Sequence, residues 1–258
     1  RDAQESRGLG DVYKRQAIYH MVQDDVFHYI WVTSWKDLFA FRITKEGHLE
    51  QVDTSSFLTP GNKILYEIYK DKDGKLWVSA FDVESFIIDI RDYIVQKYPL
   101  PDLRNQLKAN PAINSLCKDE DGIFWFSQDR YGLCIYDSRK EKLKHYSQCQ
   151  GTRNLPFGDV TNIARSYNHN WIWATSYGPT VFGLSQQNME MKEDVRIELG
   201  NVTNNPGLIT SLFEDPQNNL WIGTTTGLFV YRIMSATLES IPEVSGPVAG
   251  ITQTADSR

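Results

Sequence analysis

The residues of this 258-residue chain that could do chemistry are carboxylates close to glycines and aromatic rings beside charges. Asp71 and Asp73 precede Gly74, and Asp119 and Asp121 precede Gly122, a spacing that calcium loops also use. A calcium loop needs several further oxygen ligands and a distal bidentate glutamate, which are absent here, so these acids read as hairpin turns. Asp82 and Asp129 form a second carboxylate set. Standing roughly 5 to 9.5 Å apart, they could serve as paired acids in glycoside hydrolysis. A third set mixes ring faces with donors and charges: Trp35, Lys36 and Asp37, then Phe81 and Asp82, then Asp129, Arg130 and Tyr131, then Tyr177. Such residues suit a sugar, which offers apolar ring faces fringed with hydroxyls; ordinary loop decoration is the competing reading.

The elements that must position these side chains follow from the tryptophans. Trp31, Trp77, Trp125, Trp173 and Trp221 are separated by 46, 48, 48 and 48 residues, so five of the seven tryptophans share one period. A repeat of that length indicates a repeat architecture. In each unit an alternating strand begins about a dozen residues before the tryptophan, at Ile64, Ile113, Val160 and Ile209. A turn rich in Asp, Asn and Gly follows, and then the tryptophan strand, as in "LWVSA", "FWFSQ", "WIWATS" and "LWIGT". A third strand such as "GLCIYDS" or "GLFVYRI" and a weaker fourth such as "LKHYS" or "LESI" complete the unit. Four short antiparallel strands per period make one blade of an all-β propeller. A tryptophan ring recurring in register is then most economically a wedge against the neighbouring blade. Helix should be almost absent, apart from a turn at "PDLRNQLKAN", residues 101–110.

The units resemble the two-component regulator propeller repeat, an apolar "I-x-x-I" followed by "D-x-x-G-x-[IL]-W-[IVF]-[GS]-T" and "G-L" before an aromatic strand. "ITSLFEDPQNNLWIGTTTGLFVY" (Ile209 to Tyr231) fits almost throughout, and "INSLCKDEDGIFWFSQDRYGLCIY" (Ile113 to Tyr136) nearly as well. The first unit, "VQDDVFHYIWVTSW", has no turn glycine; the fourth, "ARSYNHNWIWATSYGP", has neither the aspartate nor the Gly-Leu pair. The resemblance implies the periplasmic sensor region of a Bacteroidetes-type hybrid histidine kinase, an inner-membrane protein. There two propellers precede an immunoglobulin-like domain, a membrane helix, the kinase and a response regulator. It implies an oligosaccharide signal, a second propeller and downstream domains as partners, a homodimeric parent, and no cofactor or catalysis in this stretch. A propeller glycosidase or polysaccharide lyase, and a protein-binding scaffold, are the alternative classes. By the geometry of a blade, the loop between second and third strands opens on the same face as the link to the next blade. Trp35, Lys36, Asp82, Asp129, Arg130, Tyr131 and Tyr177 are therefore the expected ligand residues, with Arg130 the favoured donor because its planar fork can hold two hydroxyls or a carboxylate.

Composition narrows the partners further. The net charge of -6 without a basic cluster argues against nucleic acid, and no stretch has the length of apolar residues a membrane helix needs. Cys117 and Cys134 fall in strands of one blade, where a buried small hydrophobe is the ordinary reading. The five histidines share no register, and His28 and His169 fall on turns between first and second strands. Asn201 opens an "NVT" sequon. The segment "SRGLGDVYKRQ", Ser6 to Gln16, resembles a translated transposon adapter of the kind used in sequencing libraries, so residues 1–16 are expected to be non-native and the frame to derive from a metagenomic contig. Residues 17–258 are then expected to be a partial propeller, about five blades of a ring of seven, with a further blade beginning near Val248.

Overall fold

The computed structural model of the protein describes residues 18–34, 37–54, 64–71, 73–81, 86–91, 95–99, 113–128, 132–140, 142–146 and 160–251. These form five four-stranded antiparallel sheets, each with strands in chain order. The first holds β1 (Ile18–Gln23), β2 (Tyr29–Ser34), β3 (Leu38–Ile43) and β4 (Leu49–Val52). The second holds β5 (Ile64–Lys70), β6 (Lys75–Phe81), β7 (Phe86–Asp89) and β8 (Gln96–Pro99). The third is β9 (Ile113–Lys118), β10 (Phe124–Gln128), β11 (Gly132–Asp137) and β12 (Lys142–Tyr146). The fourth comprises β13 (Asn162–Arg165), β14 (Ile172–Thr175), β15 (Thr180–Gln187) and β16 (Glu190–Glu198). The fifth comprises β17 (Ile209–Glu214), β18 (Asn219–Thr224), β19 (Gly227–Arg232) and β20 (Thr237–Ser245). These are propeller blades. Among the described residues there is no α-helix, only short 3-10 turns such as Leu199–Asn201. The helical turn expected over residues 101–110 and the adapter-like residues 1–16 lie outside the described residues.

The chain divides into two compact units, residues 1–113 and 114–258. In the first, Trp31 is buried with Leu38 and Ala40 of its own sheet against Leu65, Ile68 and Leu76 of the second. In the second unit, Trp173 and Val181 of the fourth blade pack against Ile209, Leu220, Ile222 and Phe229 of the fifth. In both places the tryptophan face of one blade meets the opposite face of the following blade, which is the wedge expected from the period. Gly183, paired with Trp173 across β14 and β15, leaves room for the ring, because a Cβ there would stand 3.0 Å from both Trp173 and Val195. Cys117 and Cys134 are buried, and burial pushes the Cys134 thiol well above its ordinary range.

The acidic turns have a second role that the spacing alone did not reveal. The Trp31 indole N–H donates to Asp24 Oδ2 at 2.6 Å, that of Trp77 to Asp71 at 2.9 Å, and those of Trp125 and Trp221 to Asp119 and Asp215 at 2.8 Å each. The other carboxylate oxygen closes the hairpin: Asp71 Oδ1 accepts the backbone N–H groups of Asp73 and Lys75, and Asp215 Oδ1 those of Gln217 and Asn219. Their oxygens are thus engaged as turn acceptors, in keeping with the hairpin reading. The left-handed residue each turn needs is Gly74 or Gly122 in the regular blades, His28 (φ 57) in the first and Asn218 (φ 64) in the fifth.

In the fourth blade Ser166 occupies the aspartate position, donating its backbone N–H to Trp171 O as the aspartates do to theirs. Its hydroxyl serves the N–H of His169 instead of the indole. Trp173 Nε1 therefore donates to Glu214 Oε2 of the next blade, at 2.6 Å. The missing aspartate noted in the sequence is replaced from across the blade boundary.

Candidate functional site

With strands in antiparallel chain order, the loops joining second to third strands and the links between blades lie at one end of each sheet. Turns joining first to second and third to fourth strands lie at the other. The fourth and fifth blades show this contact directly. The link between them, residues 199–208, begins with the Leu199 N–H donating to Pro179 O in the β14–β15 loop, 3.0 Å away. It ends against the β18–β19 turn: Thr225 N–H donates to Leu208 O at 2.9 Å, and Leu208 N–H returns a bond to Thr225 Oγ1 at 3.0 Å. Thr226 Oγ1 donates to Asn205 O at 3.2 Å. Gly207 is needed at this approach, since its φ is 72° and a Cβ would come within 2.6 Å of Thr225 Oγ1.

This ordered link face leaves apolar groups in water. Tyr177, in the β14–β15 loop, is 63% exposed, Leu208 51% and Val202 38%. Asn201, Asn204 and Asn205 are exposed along the same link. A ring face, two aliphatic groups and neutral amides can stack and hydrogen-bond a polyhydroxylated ligand without a net charge.

Of the residues singled out from the sequence, Tyr177 lies in the β14–β15 loop, at the link end of its sheet, and is exposed. Trp35, Lys36, Asp82, Asp129, Arg130 and Tyr131 lie outside the described residues. Val202, Leu208 and the asparagines of the link were missed. The signal that could have found them is the link itself, "LGNVTNNPGL", which is long, asparagine-rich and punctuated by Pro-Gly. His28 and His169 sit on the opposite, turn-bearing ends, where His169 stacks on Trp171 at 4.4 Å.

At that turn end the carboxylates differ in electrostatics. Burial raises Asp119 above the ordinary carboxylate value, opposed by the Trp125 indole and the Ile123 N–H and reinforced by Asp121. Burial also pulls Asp215 upward, but the Trp221 indole, the Asn219 amide and two backbone N–H groups outweigh it, so Asp215 is lowered. Among the described residues no group of three or more His, Cys, Asp or Glu side chains could hold a metal ion.

Residues 205–226, which span the end of the link, the β17–β18 hairpin and the β18–β19 turn, match the family described as Two component regulator propeller. The chain carries a two-component regulator propeller repeat. Solved structures agree on the fold. The extracellular domain of a protein described as a hybrid two component system from B. thetaiotaomicron superposes with a TM-score of 0.69 at 19% identity, over 93% of this chain and 32% of its own. A second such domain from the same organism gives 0.62 at 20% identity, over 87% and 27%. The chain thus spans about a third of these relatives or less. The Swd1 propeller domain of Myceliophteria thermophila gives 0.66 at 10% identity, over 90% and 74%, so the blade architecture alone does not select a function. No curated protein matches the chain in sequence. Among the described residues no helix is long and apolar enough to cross a membrane.

Proposed function

We propose that the chain is part of an extracytoplasmic sensor propeller that binds an oligosaccharide on the link face and reports occupancy to a histidine kinase elsewhere in a longer, inner-membrane parent. The repeat and the extracellular hybrid two-component neighbours support a sensor. The observation that carries the ligand class is Tyr177, a ring 63% exposed beside an asparagine-lined link hydrogen-bonded to two blades. Binding without turnover is the activity this arrangement supports. Arg130, the donor favoured from the sequence, is the charged residue proposed to complete the site.

The test is calorimetry of the chain against a panel of neutral and uronate-containing oligosaccharides, with product analysis of each mixture. Saturable binding without product is expected. Tyr177→Ala should weaken it by about 1 kcal/mol, the scale of a stacked aromatic contact. Arg130→Ala should weaken it by about 1.5 to 3 kcal/mol, the scale of a hydrogen bond to a charged group. Both should leave the melting temperature within a degree or so. Cleaved product would return the chain to the hydrolase or lyase class, and unchanged affinity in both variants would remove the link face as the site.

A further inference from the structure

A second cleft lies at the turn end, between the third and fourth blades, and its chemistry differs from that of the link face. It is an open cleft of about 600 Å³, within the range of small-molecule sites. Its floor is apolar, from Ile123 and Met189, both buried. One rim is acidic, Glu120 and Asp121 of the β9–β10 turn; the other is basic, Arg139, Lys140 and Lys142 around the β11–β12 turn.

The two rims are not equally available. Arg139 and Lys140 both face the buried Asp137, at 3.2 and 3.5 Å, and Glu120 is held by Arg165 at 2.7 Å. Lys142 is exposed and makes no ion pair among the described residues, while Asp121 is exposed and accepts a hydrogen bond from the Gln186 amide, at 3.1 Å, with no ion pair among the described residues. Among the described residues Lys142 and Asp121 are thus the rim charges without an ionic partner. A simple anion drawn to Lys142 would meet the acids opposite, and a simple cation drawn to Asp121 would meet the bases. A molecule bearing both charges satisfies both rims.

The third wall is fixed in place by unusual means. Asn188 and Met189 both have left-handed backbones, φ 54 and 65, as a two-residue hairpin requires, although methionine rarely accepts this. The Tyr146 hydroxyl of the third blade holds the turn by donating to Met189 O at 2.6 Å and accepting from the Met191 N–H at 3.2 Å. Gln186 completes the clamp, its carbonyl accepting the Met189 N–H while its amide reaches Asp121. The fourth blade thus presents a hydrogen-bonded amide and an apolar side chain to a cleft built mostly by the third.

We propose that this cleft binds a small zwitterion of the amino-acid or short-peptide class, its ammonium on Asp121, its carboxylate on Lys142, and its side chain over Ile123 and Met189. This site stands independently of the oligosaccharide reading. Calorimetry of the chain with alanyl-alanine, its N-acetyl form and its C-amide form tests it. The free dipeptide should bind saturably, and either cap should weaken binding at least tenfold. Asp121→Asn should abolish the penalty for N-acetylation, and Lys142→Gln the penalty for C-amidation. Both side chains are exposed, so unchanged far-ultraviolet circular dichroism is expected in each variant. Equal binding of the three peptides, full binding of the N-acetyl form alone, or no saturable binding by the free dipeptide would overturn the proposal.

Discussion

In the fifth blade the indole of Trp221 is served by Asp215 from its own hairpin, whereas in the fourth the indole of Trp173 is served by Glu214 from the next blade. The fifth blade keeps the repeat pattern apart from Asn218 at the turn glycine and closes its latch internally. The fourth has lost the aspartate, keeps a serine that suffices for the hairpin, and moves the acceptor across the interface. Both leave the indole N–H paired, because an unpaired donor at a buried position costs roughly 1 to 3 kcal/mol. The repeat therefore encodes a requirement, a paired indole wedge, and either the blade's own hairpin or the next blade can meet it.

The largest break in this comparison comes from the wedges themselves. Trp173 is fully buried, while Trp221 is half-buried. Trp173→Ala should destabilise the chain by about 3 to 5 kcal/mol, and Trp221→Ala by visibly less, as read from urea midpoints. Equal losses would mean that the two wedges carry equal packing, contrary to their burial.

A double-mutant cycle sharpens the acceptor assignment. Trp173→Phe combined with Glu214→Leu should show a coupling of about 1.5 to 3 kcal/mol, because each single change already breaks the charged hydrogen bond. The cycle of Trp125→Phe, whose indole is held by Asp119 of the third blade, with Glu214→Leu should be additive within about 0.5 kcal/mol. Coupling in the second cycle and none in the first would reverse the assignment.

The smallest effect is in pH. Asp215 is lowered when folded, so its ionised form stabilises the chain above the ordinary value of 3.8, and that contribution fades as pH falls below it. Asp119 is raised, so its ionisation costs stability, beginning as pH rises past 3.8. Replacing each by Asn and following urea midpoints from pH 2.5 to 6 should give differences from the parent chain of opposite slope. Slopes of one sign would show that the two turns share one environment.

The blades were legible because a large ring recurring in register is hard to hide in composition, and β6, β10, β14 and β18 all fall where the tryptophans put them. Boundaries were weaker where burial is weak. β13 begins at Asn162 rather than Val160, although Thr161 N–H already bonds to Thr175 O. β20 runs nine residues where "LESI" suggested four, because most of its side chains are exposed and leave no alternation to read. The latch partner of Trp173 was not legible, since Glu214 belongs to another unit and only the folded interface brings the two together. Tyr177 could be found as a departure from the repeat. The link around Leu208 carried only the weaker signal of an asparagine-rich, Pro-Gly stretch, and it is the exposure of Leu208 in the fold that marks it.

The consecutive strand order within every sheet has a kinetic consequence. Each strand pairs with the one just made, so a blade such as Ile209 to Ser245 closes its ladders over short loops and pays little chain entropy for each. Low contact order of this kind favours rapid folding, and on the ribosome a blade can zip up as its last strand emerges. The fourth blade is the exception in timing. Its indole acceptor is synthesised 41 residues after Trp173, so that blade can complete its ladder early but can pair its indole N–H only when the first strand of its successor arrives.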